Sequence, residues 1–223
     1  EVTAFSTGTF PEPLAFSLRA WDHLHRRVDD FDLVQDNQCL GYGLLLMQRD
    51  GLPVLGTVHH PITVDRRIEM EHARTSWERF SKGRWYAFTK MQTQVAKRMT
   101  RVLTVSENSL TDIVADHQVQ PERMNVVPVW VDQDLFRPMP GVERIPGRLI
   151  TTASADVAMK GLRYLLEAVA KLRTERPEVS LTVIGRPKEG GESARTIDEL
   201  GLADHITFVS GVSDEEIVAL YAR

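Results

Sequence analysis

The sequence predicts an α/β fold of two Rossmann-like, parallel-sheet domains. Short apolar runs of strand type alternate with longer segments of helical periodicity, and that alternation builds crossover units around a parallel sheet. The series runs twice, on either side of a stretch holding Pro138, Pro140, Gly141, Pro146 and Gly147, the strongest linker signal in the chain. Its 223 residues, 42% hydrophobic and 26% charged, suffice for two domains that each bury a core. The expected division is a first domain over 1–139, a linker over 140–148 and a second domain over 149–223.

The elements follow in order. Leu14, Leu18, Trp21, Leu24 and Val28 recur at helical spacing and predict a helix over 13–29. Phe31 to Gln35 reads as a short strand, and Leu40 to Gln48, with Gly41 and Gly43 at its start, as a buried helix. The turn Gly51-Leu52-Pro53 leads into a strand over 54–58. After a polar stretch, one long helix is expected from about Ser76 to Arg101, then a strand over 102–105. Ser106 has the position of a helix N-cap ahead of Leu110, Ile113 and Val114, and a strand follows over 125–129.

Past the linker the pattern is more regular. Strands are expected over 149–153, 181–184 and 206–209. Leu162, Leu165, Leu166, Val169 and Leu172 define one helix, and 192–200 a second. Ser213-Asp214-Glu215-Glu216 has the form of a capping box at the start of a third.

Composition excludes several classes. A net charge of −4 argues against a dedicated nucleic-acid binder. One cysteine, Cys39, excludes an internal disulfide framework and fits a reducing, cytoplasmic compartment. No apolar run approaches the roughly 20 residues of a membrane-spanning helix. The start, Glu1-Val2-Thr3-Ala4, has neither a signal peptide's pattern nor a Met. No nucleophile elbow, Walker loop, zinc-protease helix or Gly-x-Gly-x-x-Gly is present.

Parallel sheets bind ligands beyond the carboxyl ends of their strands. That rule selects the candidate site residues. His59 and His60 follow the second strand and suit contact with a substrate hydroxyl; a capping or loop role is the plainer alternative. Ser106 follows the third strand. Asp132-Gln133-Asp134 has the Asp-x-Asp form that holds a divalent ion in some sugar transferases, although an Asx-capped turn is favoured. Lys160-Gly161 opens a helix, where free N–H groups and a lysine suit a phosphate. Gly185-Arg186 and Ser210-Gly211-Val212 follow the last two strands. Ser81 to Arg101 carries six cations, no anion and interleaved aromatics. It is expected to pack its aromatics inward, with peripheral membrane contact the minority reading.

Several of these pieces occur together in one order: Val105-Ser106-Glu107, Val127-Pro128, Val131-Asp132, Lys160-Gly161 with Leu165-Leu166-Glu167-Ala168, Val183-Ile184-Gly185, and Phe208-Val209-Ser210-Gly211. The run resembles glycosyltransferase family 4. The resemblance implies the GT-B fold, no metal or other cofactor, and retaining transfer of a sugar from a nucleoside diphosphate sugar to a hydroxyl acceptor. It further implies that His59 contacts the donor sugar, that Asp132 lies on the family's Val-Asp motif, that Lys160 neutralises the diphosphate and that Gly185, Gly211 and Val212 lie near the nucleotide. From their places after strands, His60, Ser106 and Asp132 are expected near substrate, and Ser154 and Arg186 near the nucleotide.

Three departures accompany the resemblance. Ser154-Ala155-Asp156 stands where the family has Gly-Arg, leaving Arg163 or Arg186 as the substitute cation. Trp130 stands where the family has Gly before Val-Asp. The family's glycine-rich first loop and glutamate pair do not occur in these residues, so the chain is expected to be the middle of an enzyme, with little activity alone. The alternatives are a GT-B-type epimerase or hydrolase, and a non-catalytic nucleotide- or carbohydrate-binding module.

Overall fold

The computed structural model describes residues 8–153, 160–186 and 188–223. The chain divides into two compact units, Glu1–Trp130 and Val131–Arg223. The Pro- and Gly-rich stretch 140–148 therefore falls within the second unit. There Ile145 N–H donates to the Arg223 carbonyl at 2.7 Å.

In the first unit, helix α1 (Glu12–Leu24) precedes strand β1 (Val34–Asn37), helix α2 (Gly43–Arg49) and strand β2 (Val54–Thr57). Helices α3 (Ile62–Glu71), α4 (Ser76–Trp85) and α5 (Thr89–Ala96) follow. Strand β3 (Arg101–Thr104), helix α6 (Glu107–His117) and strand β4 (Met124–Val126) complete it. The four strands are parallel, in the order β1-β2-β3-β4. Helices cover the sheet because its strands carry apolar side chains that must leave water: Val54, Val58 and Val102 meet Leu40, Met47, Val95, Met99 and Ile113. Each such buried side chain contributes about 1.5–3 kcal/mol.

Helices α1 and α2 approach very closely, and the sequence shows why they can. A Cβ on Gly43 would stand 1.9 Å from the Ser17 carbonyl oxygen, and one on Gly41 2.1 Å from Ser17 Oγ. The two glycines that open the apolar run are what lets the helices meet.

The second unit is simpler. Strand β5 (Arg148–Thr152), helix α7 (Leu162–Arg173), strand β6 (Ser180–Ile184), helix α8 (Glu192–Glu199), strand β7 (Ile206–Val209) and helix α9 (Asp214–Ala222) alternate strictly. The sheet is parallel, in the order β5-β6-β7. Leu162, Leu166, Val169, Leu181, Val183, Ile197 and Leu202 form its core. The capping box at Ser213 forms in both directions, with Ser213 Oγ accepting from Glu216 N–H and Glu216 Oε2 accepting from Ser213 N–H.

Three expectations are corrected, and one element is added. The long helix over 76–101 is three pieces: α4, a 3₁₀ turn over Tyr86–Phe88, and α5. The cations of 81–101 therefore do not share one helical face; Met91, Val95 and Met99 are buried, whereas Trp77 and Phe80 on α4 stand exposed. Helix α3 occupies the polar stretch that carried no prediction. The first strand lies at Val34–Asn37, not at Phe31–Gln35. Strand β4 spans Met124–Val126 rather than 125–129, with Val127 N–H donating to the Thr104 carbonyl just beyond it.

Candidate functional site

In each sheet the strand ends are level. Asn37 pairs with Thr57, and Thr104 with Val126. Thr152 pairs with Ile184, and Ile184 with Val209. The residues that follow these ends form two clusters, one on each unit.

On the first unit, His59 and His60 are exposed just beyond β2. His59 Nε2 lies 2.7 Å from Asn37 Oδ1, and its main-chain N–H donates to Gln38 Oε1 at 2.7 Å. His60 Nε2 lies 3.1 Å from Asp65 Oδ2, at the start of α3. The Ser106 hydroxyl caps α6 by accepting from Ser109 N–H at 3.1 Å. That role accounts for its residue type without a ligand.

On the second unit, the ladder extends past the strands. Ala153 N–H donates to the Ile184 carbonyl and Gly185 N–H to the Val209 carbonyl. Arg186 Nε donates to Ser210 Oγ at 3.1 Å, joining the segments after β6 and β7. Gly211 and Val212 follow directly, Gly211 exposed. Gly161 is the N-cap of α7, with Lys160 exposed immediately before it. Lys160 makes no hydrogen bond or ion pair among the described residues. Arg163, by contrast, is held by Glu167 and Glu192, both at 3.0 Å, so its charge is already matched. Ser154 lies outside the described residues.

Asp132 belongs to the second unit and closes a turn. Its Oδ1 accepts from Asp134 N–H at 3.0 Å and from Leu135 N–H at 3.2 Å, the Asx arrangement that the residue type favours. Trp130 creates no strained turn. Its φ is not among the positive values, and its side chain is 82% exposed.

Sequence reasoning missed Asn37 and Gln38, the two side chains that hold His59. Asn37 ends, and Gln38 follows, a strand whose only buried residue is Asp36, and hydrophobic patterning cannot register such a strand. Among the described residues no helix is long and apolar enough to cross a membrane.

Two parallel-sheet Rossmann-like units with polar clusters at their strand ends define a GT-B-type α/β protein. Comparison with known proteins gives the family. Residues 1–135 match the model of Glycosyltransferase Family 4, and residues 144–223 that of Glycosyl transferases group 1. The chain belongs to glycosyltransferase family 4. It is 48% identical over 216 residues to an MMP alpha-(1->4)-mannosyltransferase of Mycolicibacterium hassiacum, covering 97% of this chain and 52% of that protein. A D-inositol 3-phosphate glycosyltransferase of Mycobacterium tuberculosis is 27% identical over 142 residues, 57% of this chain and 28% of that protein. The chain thus spans about half the length, or less, of these relatives.

Solved structures agree on the fold. Sucrose-phosphate synthase of Thermosynechococcus elongatus matches with a TM-score of 0.66 at 16% identity, over 92% of this chain and 51% of that one. Anabaena HepE in complex with UDP-glucose matches at 0.64 and 18% identity, over 92% and 53%.

Proposed function

We propose that this chain is part of a retaining, metal-independent glycosyltransferase that moves a hexosyl group from a nucleoside diphosphate sugar to a hydroxyl acceptor. The observation that carries the proposal is Lys160, an exposed cation without a hydrogen-bond or ion-pair partner among the described residues, directly before the α7 N-terminus and at the carboxyl edge of its sheet. Free helical N–H groups, a partial positive charge and an ammonium together suit a diphosphate. In group transfer from such a donor, the diphosphate oxygens gain negative charge as the glycosidic bond breaks, so a cation fixed there stabilises the transition state. Arg186 adds a second cation after the next strand. His59 orients the sugar. The names of the relatives support the class: the M. hassiacum protein is a mannosyltransferase, and the HepE structure holds a nucleoside diphosphate sugar. Little turnover is expected from these 223 residues alone.

The test is a pair of substitutions in the full-length protein. Lys160→Ala removes a charge-assisted contact worth about 1.5–3 kcal/mol, so calorimetric affinity for the nucleoside diphosphate should fall about 10- to 100-fold. His59→Ala should lower turnover more than donor affinity. Unchanged nucleotide affinity in the first variant, or equal losses in the second, would overturn these assignments.

A further inference from the structure

The segment between β1 and α2 is unusually constrained. Gln38 has φ +62° and Leu40 φ +49°, two left-handed residues without glycine. Each such conformation costs of order 1–3 kcal/mol and persists only where its surroundings enforce it. Three buried groups enforce it here. The Asp36 carboxylate accepts from Leu40 N–H at 3.1 Å. Leu40 itself is fully buried. Gln92, on α5 and 1% exposed, donates from Nε2 to the carbonyls of Gln38 and Cys39 at 3.1 and 3.3 Å.

The result of this constraint is the placement of one side chain. Gln38 reaches the segment after β2, where Oε1 accepts from His59 N–H at 2.7 Å and Nε2 donates to the His60 carbonyl at 2.9 Å. A main-chain donor faces its oxygen and a main-chain acceptor its nitrogen, which fixes the orientation of the amide. Alongside, Asn37 Oδ1 lies 2.7 Å from His59 Nε2. A carbonyl oxygen there requires the ring proton on Nε2, and Nδ1 is left as an acceptor.

We propose that Asn37 and Gln38 are positioning residues for His59: Gln38 fixes its main chain, and Asn37 fixes its ring orientation and tautomer, so that Nδ1 is presented to a hydroxyl group of the ligand. The ligand's identity as a sugar rests on the function proposed above; the tautomer does not. His60 and its partner Asp65 are the neighbouring titratable pair on the same turn, and the buried Asp36 lies behind it.

The test reads the ring directly. Long-range proton–nitrogen spectra of the ¹⁵N-histidine-labelled full-length protein, without substrate, report the tautomer of each imidazole, and His59 is assigned by its loss in His59→Gln. The expected state is Nε2–H. Asn37→Ala should convert it to a mixture of tautomers. Asn37→Asp, close in shape and exposed, keeps an acceptor beside the ring and should keep the Nε2–H state. A wild-type Nδ1–H tautomer, or a ring indifferent to Asn37→Ala, would overturn the proposal. Gln38→Ala should leave donor affinity within about twofold while turnover falls about 10-fold or more, the effect of a displaced reacting group. Equal losses in affinity and turnover would mark Gln38 as merely structural. If the spectra behave as expected while His59→Ala leaves turnover intact, the role of His59 at the sugar fails and the positioning of its ring stands.

Discussion

Replacing Gly185 by alanine separates a fold requirement from a ligand contact at a position where both have been claimed. A Cβ on Gly185 would stand 2.1 Å from the Ala153 carbonyl oxygen. That oxygen is backbone, at the end of the neighbouring strand β5, so it cannot swing aside. The residue's φ of +158° adds a second cost for any L side chain. Overpacking against a rigid neighbour costs about 1–3 kcal/mol, and backbone strain of this kind about 1–3 kcal/mol. The expected destabilisation is therefore about 2–6 kcal/mol. A unit of this size has about 5–14 kcal/mol in total, and each kcal/mol is worth about 4–8 °C, so its melting temperature should fall by at least about 8 °C. Far-UV circular dichroism is the right assay, because Trp21, Trp77, Trp85 and Trp130 all lie in the first unit and cannot report on the second. Gly201→Ala is the control: its φ is +63°, but nothing stands within 4 Å of its Cβ. A Gly185→Ala variant no less stable than Gly201→Ala would refute the steric argument and return the glycine to the nucleotide.

Two further outcomes follow from buried titratable groups in the first unit. Burial holds the His117 imidazole below its ordinary pKa, against the opposing influence of Asp116, while Thr93 Oγ1 lies 3.0 Å from its Nδ1. The folded state therefore resists protonation that the unfolded state accepts. Stability is complete above about pH 6.5 and is lost as the pH falls below it; the urea midpoint by tryptophan fluorescence should drop between pH 7 and 5.5, and a His117→Gln variant with the same pH dependence would contradict this. Burial, with the nearby Asp36 charge adding to it, pushes the Cys39 thiol up to about 11. At neutral pH almost no thiolate is present, so alkylation of the native protein should be about 100-fold slower than that of the urea-unfolded chain. Equal rates would show that Cys39 is open to solvent.

The sequence carried the architecture best where burial is one-sided and periodic. Helix α7 was legible because Leu162, Leu166 and Val169 are buried on one stripe, and the caps at Ser106 and Ser213 because hydroxyl chemistry at a helix start is local. Helices α3 and α4 have no buried residue at all, so the apolar stripe that would announce or separate them does not exist. Strand β1 was displaced for the converse reason. Phe31 and Leu33 look like a strand but are exposed, while the true strand hides an aspartate. That displacement concealed Asn37 and Gln38, since neither then stood at a strand end. The lysine and histidine candidates were found by position alone; the amide side chains that hold His59 act through geometry with no sequence motif.

The order of the strands has a consequence for how the chain is made. In both sheets every described strand lies beside the one that precedes it in the sequence. Among the described strands of each sheet, every one after the first thus finds its neighbour already synthesised, one crossover behind, as it leaves the ribosome. Short closures of this kind form faster than long-range ones, and the emerging sheet edge is covered by the next strand as translation proceeds, which shortens the time in which it can recruit another chain.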